Sequence, residues 1–232
     1  MKLKQRLWLS LGIVAGALGG VAAARAYAKA RRDCPPFRKR TYRDGHDLVA
    51  EFGALWRHPE RLAPIVNGNG LDRHFAERLM LAVTGVNGCR YCKQAHAWKA
   101  MRDGMPSQEV AALLDGELPE VSANEAPALA FAQHYADTGG LPEGAVFERL
   151  VSTYGAESTA QILTHIRIIT LCNLAGNTFD ALLSRFLGQP AEGSTLRGEL
   201  AALIVFAFGI LPLSPLLVAR AQWASLQAAE QG

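Results

Sequence analysis

The sequence has 232 residues, of which half are hydrophobic and 19% are charged, and its formal net charge is +3. A chain of this length and composition can bury a substantial core. Much of the basic excess sits beside an apolar stretch, where basic residues more often flank a membrane segment than bind nucleic acid, so no nucleic-acid partner is expected. Four cysteines are too few for a disulfide framework in a chain of this size. A disulfide-stapled domain is therefore excluded.

The first apolar stretch, Leu7 to Ala24, has 18 residues without an ionisable side chain. That length is at the lower end of what spans a bilayer as a helix. A cleaved signal peptide is the alternative, because Ala26-Tyr27-Ala28 resembles a cleavage site. The stretch is longer than a usual signal-peptide core and is followed by many basic residues. We therefore predict a retained transmembrane anchor with a basic flank over residues 1–30 and a linker over 31–45.

From residue 46 to residue 190, apolar residues recur at helical spacing and glycine or proline separates successive segments. The pattern predicts eight helical segments in chain order: 47–57, 59–67, 72–86, 89–103, 106–116, 122–137, 142–155 and 158–187. Ser122 and Glu125 have the spacing of a capping box for the sixth of these. No segment has the pattern of a strand, so the predicted fold is all-α.

A second apolar stretch, Leu200 to Ala219, is long enough to cross a bilayer, and charged residues stand on each side of it. Pro212 and Pro215 would kink this helix, which membrane helices tolerate better than soluble ones do. We predict a C-terminal transmembrane helix over residues 199–220. A buried or interfacial helix is the alternative.

The candidate chemistry lies in Glu77, Cys89, Cys92 and His96, which form the pattern E-x11-C-x2-C-x3-H. On a helix that begins near Cys89, the two cysteines and the histidine share one face. The positive end of the helix dipole stabilises a thiolate, which is the reactive form of cysteine. His96 can take or return the thiol proton, and Glu77 on the preceding antiparallel helix can orient His96.

A zinc site is the main alternative for this cluster, but a single CxxC without a second ligand pair makes a weak structural zinc site. Cys34 and Cys172 lie apart from the motif in the sequence. Cys172 stands in an apolar helical segment and is predicted to be a small buried side chain. Cys34 is assigned no role.

These residues resemble the alkylhydroperoxidase D-like branch of the carboxymuconolactone decarboxylase superfamily. The resemblance rests on Glu77-Arg78, on LAVTGVNGCRYCKQAHAWKAMRDG at residues 81–104 and on NEAPALAFAQHYAD at residues 124–137. It continues in the long helix that contains Asn173 and Asn177. It covers roughly residues 46–190 and omits both apolar ends.

The resemblance implies an all-helical bundle that assembles as a homo-oligomer, often a trimer or hexamer. It also implies reduction of hydroperoxides through a thiolate, sulfenate and disulfide cycle. We expect no cofactor and no metal. Cys92 would attack the peroxide, Cys89 would resolve the sulfenate, and Glu77 with His96 would relay protons. A thioredoxin- or lipoyl-type thiol would be the reductant. The alternatives are a decarboxylase of the same fold, although that branch generally lacks the CxxC, and a non-catalytic membrane scaffold.

The charges near the first apolar stretch bear on localisation. Seven Lys/Arg residues lie between Arg25 and Arg40, and three, Lys2, Lys4 and Arg6, precede the stretch. The richer side usually stays in the cytoplasm, and that compartment keeps thiols reduced. We therefore predict a bacterial-type inner-membrane protein whose redox domain is cytoplasmic, although the three leading basic residues favour the opposite orientation.

Overall fold

The computed structural model describes residue 20 and residues 22–230. Within this range every regular element is helical and no strand occurs, as predicted. Most of the predicted N-terminal anchor lies outside the described residues. The chain is helical and exposed over residues 22–33, which we label α1.

In the described part of the chain, nine further α-helices, α2 to α10, follow α1, with a 3-10 turn before α3 and a π-helical turn before α10. Their bounds are Gly45–Arg57 (α2), Pro59–Arg61 (3-10), Ala63–Asn67 (α3), Arg73–Asn87 (α4), Arg90–Arg102 (α5), Ser107–Leu114 (α6), Ala126–Asp137 (α7), Gly144–Phe186 (α8), Leu196–Ile204 (α9), Val205–Ile210 (π) and Leu211–Glu230 (α10). The bounds of α2, α4, α5 and α6 lie close to those predicted from the sequence.

The turn between α4 and α5 places the two helices side by side. Asp72 caps the start of α4 by accepting hydrogen bonds from the backbone N–H groups of His74 and Phe75. Gly88 ends the helix in the left-handed conformation, with φ near 70°, and its N–H donates to the carbonyl of Thr84. A glycine takes this conformation without strain, so α5 can fold back antiparallel to α4.

The predicted capping box at Ser122 and Glu125 is wrong. The helix α7 begins after Glu125, and the Glu125 side chain makes no capping hydrogen bond. Its carboxylate instead accepts from Arg78 at 3.1 Å, and Arg78 also donates to Glu109 at 2.5 Å. The two ion pairs of Arg78 tie α4 to α6 and to the start of α7. The Glu125 carboxylate therefore pairs with Arg78 and does not cap its own helix.

The two helices predicted over 142–155 and 158–187 form one long element, α8. It contains a break at Gly155, whose φ of 73° and ψ of 171° are not helical. Pro142 precedes the helix, which begins at Gly144. The two predicted helical segments are therefore present. They are joined directly at the kink at Gly155, without the short non-helical connection that was expected over residues 156–157.

Two hydrophobic cores are built around α8. The first fills the space between α4, α6, α7 and the earlier part of α8, and its fully buried members include Leu79, Leu81, Leu113, Leu129, Ile162 and Ile166. The second lies between α2, α3, α9, α10 and the middle of α8, and includes Leu48, Leu62, Leu174, Ala202, Ile210, Leu217 and Ala221. The α4–α5 turn stands beside α8 at the boundary between them.

The segment predicted to be a linker is attached to α8. Tyr42 is buried, and its backbone N–H donates to the Thr178 hydroxyl at 3.0 Å. The Asn177 amide donates to the carbonyl of Arg40 at 2.9 Å. Residues 34–44 are therefore an extended strap across the domain, and residues 31–33 belong to α1.

The C-terminal helices contain one continuous stretch, Leu196–Gln227, that is long and apolar enough to cross a membrane, the one such stretch in the described part of the chain. Near its start, Glu199 is fully buried and accepts from Arg185 at 2.8 Å. Near its end, Arg220 stacks 4.5 Å from the ring of Trp56 and donates to the Trp56 carbonyl. Both ends are thus bonded to the same domain, and one face packs on the second core.

The close packing of α4 against α6 gives a test of this arrangement. A Cβ at position 85 would overlap the backbone carbonyl of Leu113, which cannot move aside as a flexible side chain can. We predict that Gly85→Ala lowers the free energy of unfolding by about 1–3 kcal/mol, measured by denaturant titration.

Gly53→Ala is the matched control, because an added methyl in the middle of α2 meets only the mobile end of Arg57. It should be neutral or stabilise the protein by up to about 1 kcal/mol through helix propensity. Equal effects of the two substitutions would contradict the packing.

Candidate active site

A buried carboxylate joins α4 to α5. Glu77 is 4% exposed and accepts a hydrogen bond from Nδ1 of His96 at 2.5 Å. Its second oxygen accepts from the ammonium group of Lys99. The three side chains lie on facing sides of the antiparallel helices, so that each oxygen of the carboxylate has its own partner.

Burial alone would raise the pKa of the Glu77 carboxyl by penalising its charged form. The hydrogen bonds and positive charges of His96 and Lys99 outweigh this effect and hold the pKa below its usual value. Glu77 is therefore a carboxylate at neutral pH. It fixes the orientation of the imidazole and leaves Nε2 as the ring nitrogen available for proton exchange.

The two cysteines of the motif differ in position and in exposure. Cys89 is the N-cap residue of α5 and is fully buried. Cys92 lies within the first turn of α5 and is half-buried. Of the two sulfurs, the Cys92 sulfur is the more accessible to a small substrate.

The pKa values of the two cysteine thiols are shifted in opposite directions. A hydrogen bond from the Cys92 thiol, together with the backbone N–H groups of Cys92 and Tyr91, lowers the pKa of Cys89 to about 6 against the opposing effect of burial. The same hydrogen bond and burial raise the pKa of Cys92. At neutral pH the pair thus carries one proton and one negative charge, with the charge on Cys89 in this arrangement.

The long helix α8 packs closely on the Cys89 side of the pair. A Cβ added at Gly176 would lie 2.7 Å from the Cys89 sulfur, so only glycine leaves room for it. Beside it, the Tyr91 ring stacks at 6.0 Å from the ring of Phe179, and the Tyr91 hydroxyl donates to Asp180 at 2.8 Å. These contacts fix the first turn of α5 against α8.

The structure brings the predicted Glu77 and His96 together. The predicted Cys89 and Cys92 lie at the start of α5, the helix that also carries His96. No hydrogen bond joins His96 to either sulfur among the described residues, so proton exchange between them requires water or a side-chain rotation. Sequence reasoning missed Lys99. Its signal is its spacing, because it follows His96 by three residues and Cys92 by seven, on one helical face.

Other polar residues singled out in the sequence have structural partners. Asn173 bonds with the hydroxyl of Thr84 at 3.3 Å, and Asn177 donates to the carbonyl of Asn87 at 2.8 Å. These bonds join α8 to α4 next to the cysteines. Trp98 is exposed, with the guanidinium of Arg102 at 4.7 Å from its ring centre.

The cysteines are not part of a group of metal-ligating atoms. Within the residues that the structure describes, the group close enough to hold an ion is Asp44, His46 and Asp47, and all three are exposed. Asp44 serves there as the N-cap of α2.

Comparison with known proteins identifies a family over part of this region. Residues 54–134 match the model of the carboxymuconolactone decarboxylase family. This range includes all of α4 and α5, with Glu77, both cysteines, His96 and Lys99. No curated protein and no solved structure matches the chain.

The pKa of the cysteine pair gives a direct prediction. Since the pKa of Cys89 is lowered to about 6, one thiolate should be present in the reduced protein at pH 7 and should be protonated as the pH falls through 6. The thiolate absorbance at 240 nm reports this titration. Cys89→Ser should remove the step, whereas a first ionisation only near the ordinary cysteine pKa of about 8.5 would contradict the geometry.

Proposed function

Because residues 54–134 are a region of the carboxymuconolactone decarboxylase family, we propose that the protein is a thiol-dependent peroxidase that reduces alkyl hydroperoxides through Cys89 and Cys92. The observation that carries the proposal is the placement of a CxxC pair, one sulfur buried and one accessible, on the same helix as an imidazole oriented by a buried carboxylate. A dithiol with an adjacent proton relay has the groups that peroxide reduction requires.

The proposed cycle begins with Cys92, whose sulfur is the more exposed of the pair. The pair's remaining proton must then lie on Cys89. The Cys92 thiolate attacks the terminal oxygen of the hydroperoxide, the O–O bond breaks, and an alcohol leaves after taking up one proton. Cys92 becomes a sulfenic acid. Cys89 then gives up its proton, and its thiolate attacks the Cys92 sulfur. The displaced hydroxide takes up a proton and leaves as water, and the Cys89–Cys92 disulfide is formed.

Glu77, His96 and Lys99 serve the two proton deliveries in this cycle. Glu77 holds Nδ1 of His96, so that Nε2 can give a proton to the leaving alkoxide through water. Lys99 neutralises the buried carboxylate and keeps the ring orientation fixed. Glu77 is thus a positioning residue, and His96 is the proton-transfer group.

A decarboxylase of the same fold and a non-catalytic scaffold are the rival functions. Neither requires a free dithiol. Loss of hydroperoxide consumption after alkylation of the thiols therefore separates the peroxidase from both.

The cycle needs an external reductant, for which we propose a dithiol of the thioredoxin or lipoyl type. It attacks the protein disulfide, restores the two thiols and leaves as a disulfide. Assembly of the chain into a homo-oligomer remains a prediction.

We also propose that the protein is attached to a membrane, with the outward face of residues 196–227 in contact with lipid. That face exposes large apolar side chains, among them Leu200, Ile204, Phe208, Leu216 and Trp223. A spanning helix would carry its two ends to opposite sides of the bilayer, yet both ends are bonded to the same domain through Arg185 and Trp56. A helix lying along the membrane surface agrees with these contacts. The basic residues that follow position 24 favour the cytoplasmic side.

The roles of the two cysteines can be tested separately. Cys92→Ser should abolish consumption of an organic hydroperoxide, because the attacking sulfur is removed. Cys89→Ser should still allow the first oxidation, with a sulfenic acid on Cys92 that dimedone captures when it is present with the peroxide, and should prevent formation of the Cys89–Cys92 disulfide. Capture on Cys89 in the Cys92→Ser protein, with no reaction of Cys92 in the other variant, would reverse the assignment.

The membrane proposal is tested with topology reporters in the full chain. One reporter is inserted after Gln189, in the loop before α9, and another is fused after Gly232. A surface helix places both reporters on the cytoplasmic side. Reporters on opposite sides would show that the helix spans the bilayer, and recovery of the protein in the soluble fraction without carbonate or detergent would contradict membrane attachment.

A further inference from the structure

A third cysteine lies beside the CxxC pair. Cys172 is on α8 and is exposed, so the prediction that it is a buried core residue is wrong. Its neighbours Leu171 and Asn173 turn into the protein and are buried. The sulfur at position 172 is therefore on a face of α8 that an outside molecule can reach.

The register of the helices places Cys172 next to Cys92. Thr84 and Asn87 of α4 bond with Asn173 and Asn177 of α8, so α4 and α8 run in the same direction. Because α5 folds back on α4, it runs opposite to α8. Cys89 at the start of α5 packs on Gly176. Because the two helices are antiparallel, the following turn of α5, which contains Cys92, lies beside the preceding turn of α8, which contains Cys172.

Electrostatics agree with this register. Desolvation by the surrounding helices and the negative charge of Cys89 raise the pKa of Cys172, even though the residue is exposed. The charge of Cys172 in turn is among the causes that raise the pKa of Cys92. All three sulfurs thus lie within one another's electrostatic reach.

From this arrangement we propose that Cys172 is a third redox thiol, which carries the disulfide from the buried Cys89–Cys92 pair to the surface for reduction. The proposal rests on the redox function proposed above. It adds the route by which reducing equivalents enter the site. A relay from the surface to the interior requires the three cysteines to be progressively less exposed. Cys172 is exposed, Cys92 is half-buried and Cys89 is fully buried.

The transfer is an exchange without net oxidation. The Cys172 thiol loses its proton to solvent and its sulfur attacks Cys92 in the Cys89–Cys92 disulfide. A Cys92–Cys172 bond forms, the Cys89–Cys92 bond breaks, and Cys89 leaves as a thiolate, which the N-terminus of α5 stabilises. A thiolate of an external dithiol then attacks Cys172, the Cys92–Cys172 bond breaks, and Cys92 leaves as a thiol after taking up a proton. The second thiolate of the reductant attacks the mixed disulfide, which releases Cys172 as a thiol after it takes up a proton and forms the disulfide of the reductant.

The oxidised state favours this attack. In the Cys89–Cys92 disulfide neither sulfur carries a charge, so the repulsion by Cys89 that raises the pKa of Cys172 is absent. Cys172 ionises more readily when there is a disulfide to attack than when the pair is reduced.

The first test is disulfide mapping in the full-length Cys89→Ser protein treated with diamide. This oxidant needs no peroxidase activity, so the result does not depend on the peroxide reaction. Mass spectrometry should find a Cys92–Cys172 disulfide and none between Cys92 and Cys34. Absence of the Cys92–Cys172 bond overturns the proposal.

The second test is the rate at which dihydrolipoamide reduces the preformed Cys89–Cys92 disulfide. Cys172→Ser should slow this reduction by about tenfold or more, because access governs the rate of exchange, and should leave the first oxidation by hydroperoxide unchanged. Cys34→Ser is the matched control and should change neither rate. Reduction of the Cys172→Ser protein at the wild-type rate overturns the proposal, whereas failure of every variant to react with peroxide would contradict only the peroxidase function.

Discussion

The site depends on one buried charge. An ionised carboxylate is costly to remove from water unless its oxygens are paired, and Glu77 obtains its partners from His96 and Lys99 on the neighbouring helix. The pairing holds α4 and α5 in a single register. That register fixes where the first turn of α5, with its two cysteines, meets α8. The chemistry proposed for the sulfurs therefore rests on a carboxylate whose hydrogen bonds in the described residues go to His96 and Lys99.

The helices and the first part of the site could be predicted because their signals are local. The spacing of Glu77, Cys89, Cys92 and His96 follows from helical periodicity and one glycine turn, and the structure brings the carboxylate and the imidazole together as expected. Lys99 was missed because a lysine on a half-exposed helix is ordinarily a solvated charge.

Features that depend on tertiary packing could not be predicted in the same way. Glu125 has the right spacing for a cap, but Arg78, far away in the sequence, takes its carboxylate. Cys172 stands among apolar residues in the sequence, which predicts a buried side chain. Its exposure depends on how the other helices pack around α8, which the sequence does not reveal. The C-terminal stretch is a similar case. Hydropathy measures its composition and cannot show that Arg185 and Trp56 bind both of its ends to one domain.

The most direct test compares wild-type protein with Glu77→Gln in a single turnover with an organic hydroperoxide, without external thiol. The quantity measured is the rate at which the Cys89–Cys92 disulfide forms, followed by mass spectrometry of quenched samples. The wild-type protein should form one disulfide per peroxide consumed, and Glu77→Gln should be slower by about 10²- to 10⁴-fold, the usual value of a positioned acid–base group. A wild-type protein that forms no disulfide, or a Glu77→Gln protein that forms it at the wild-type rate, would contradict the account.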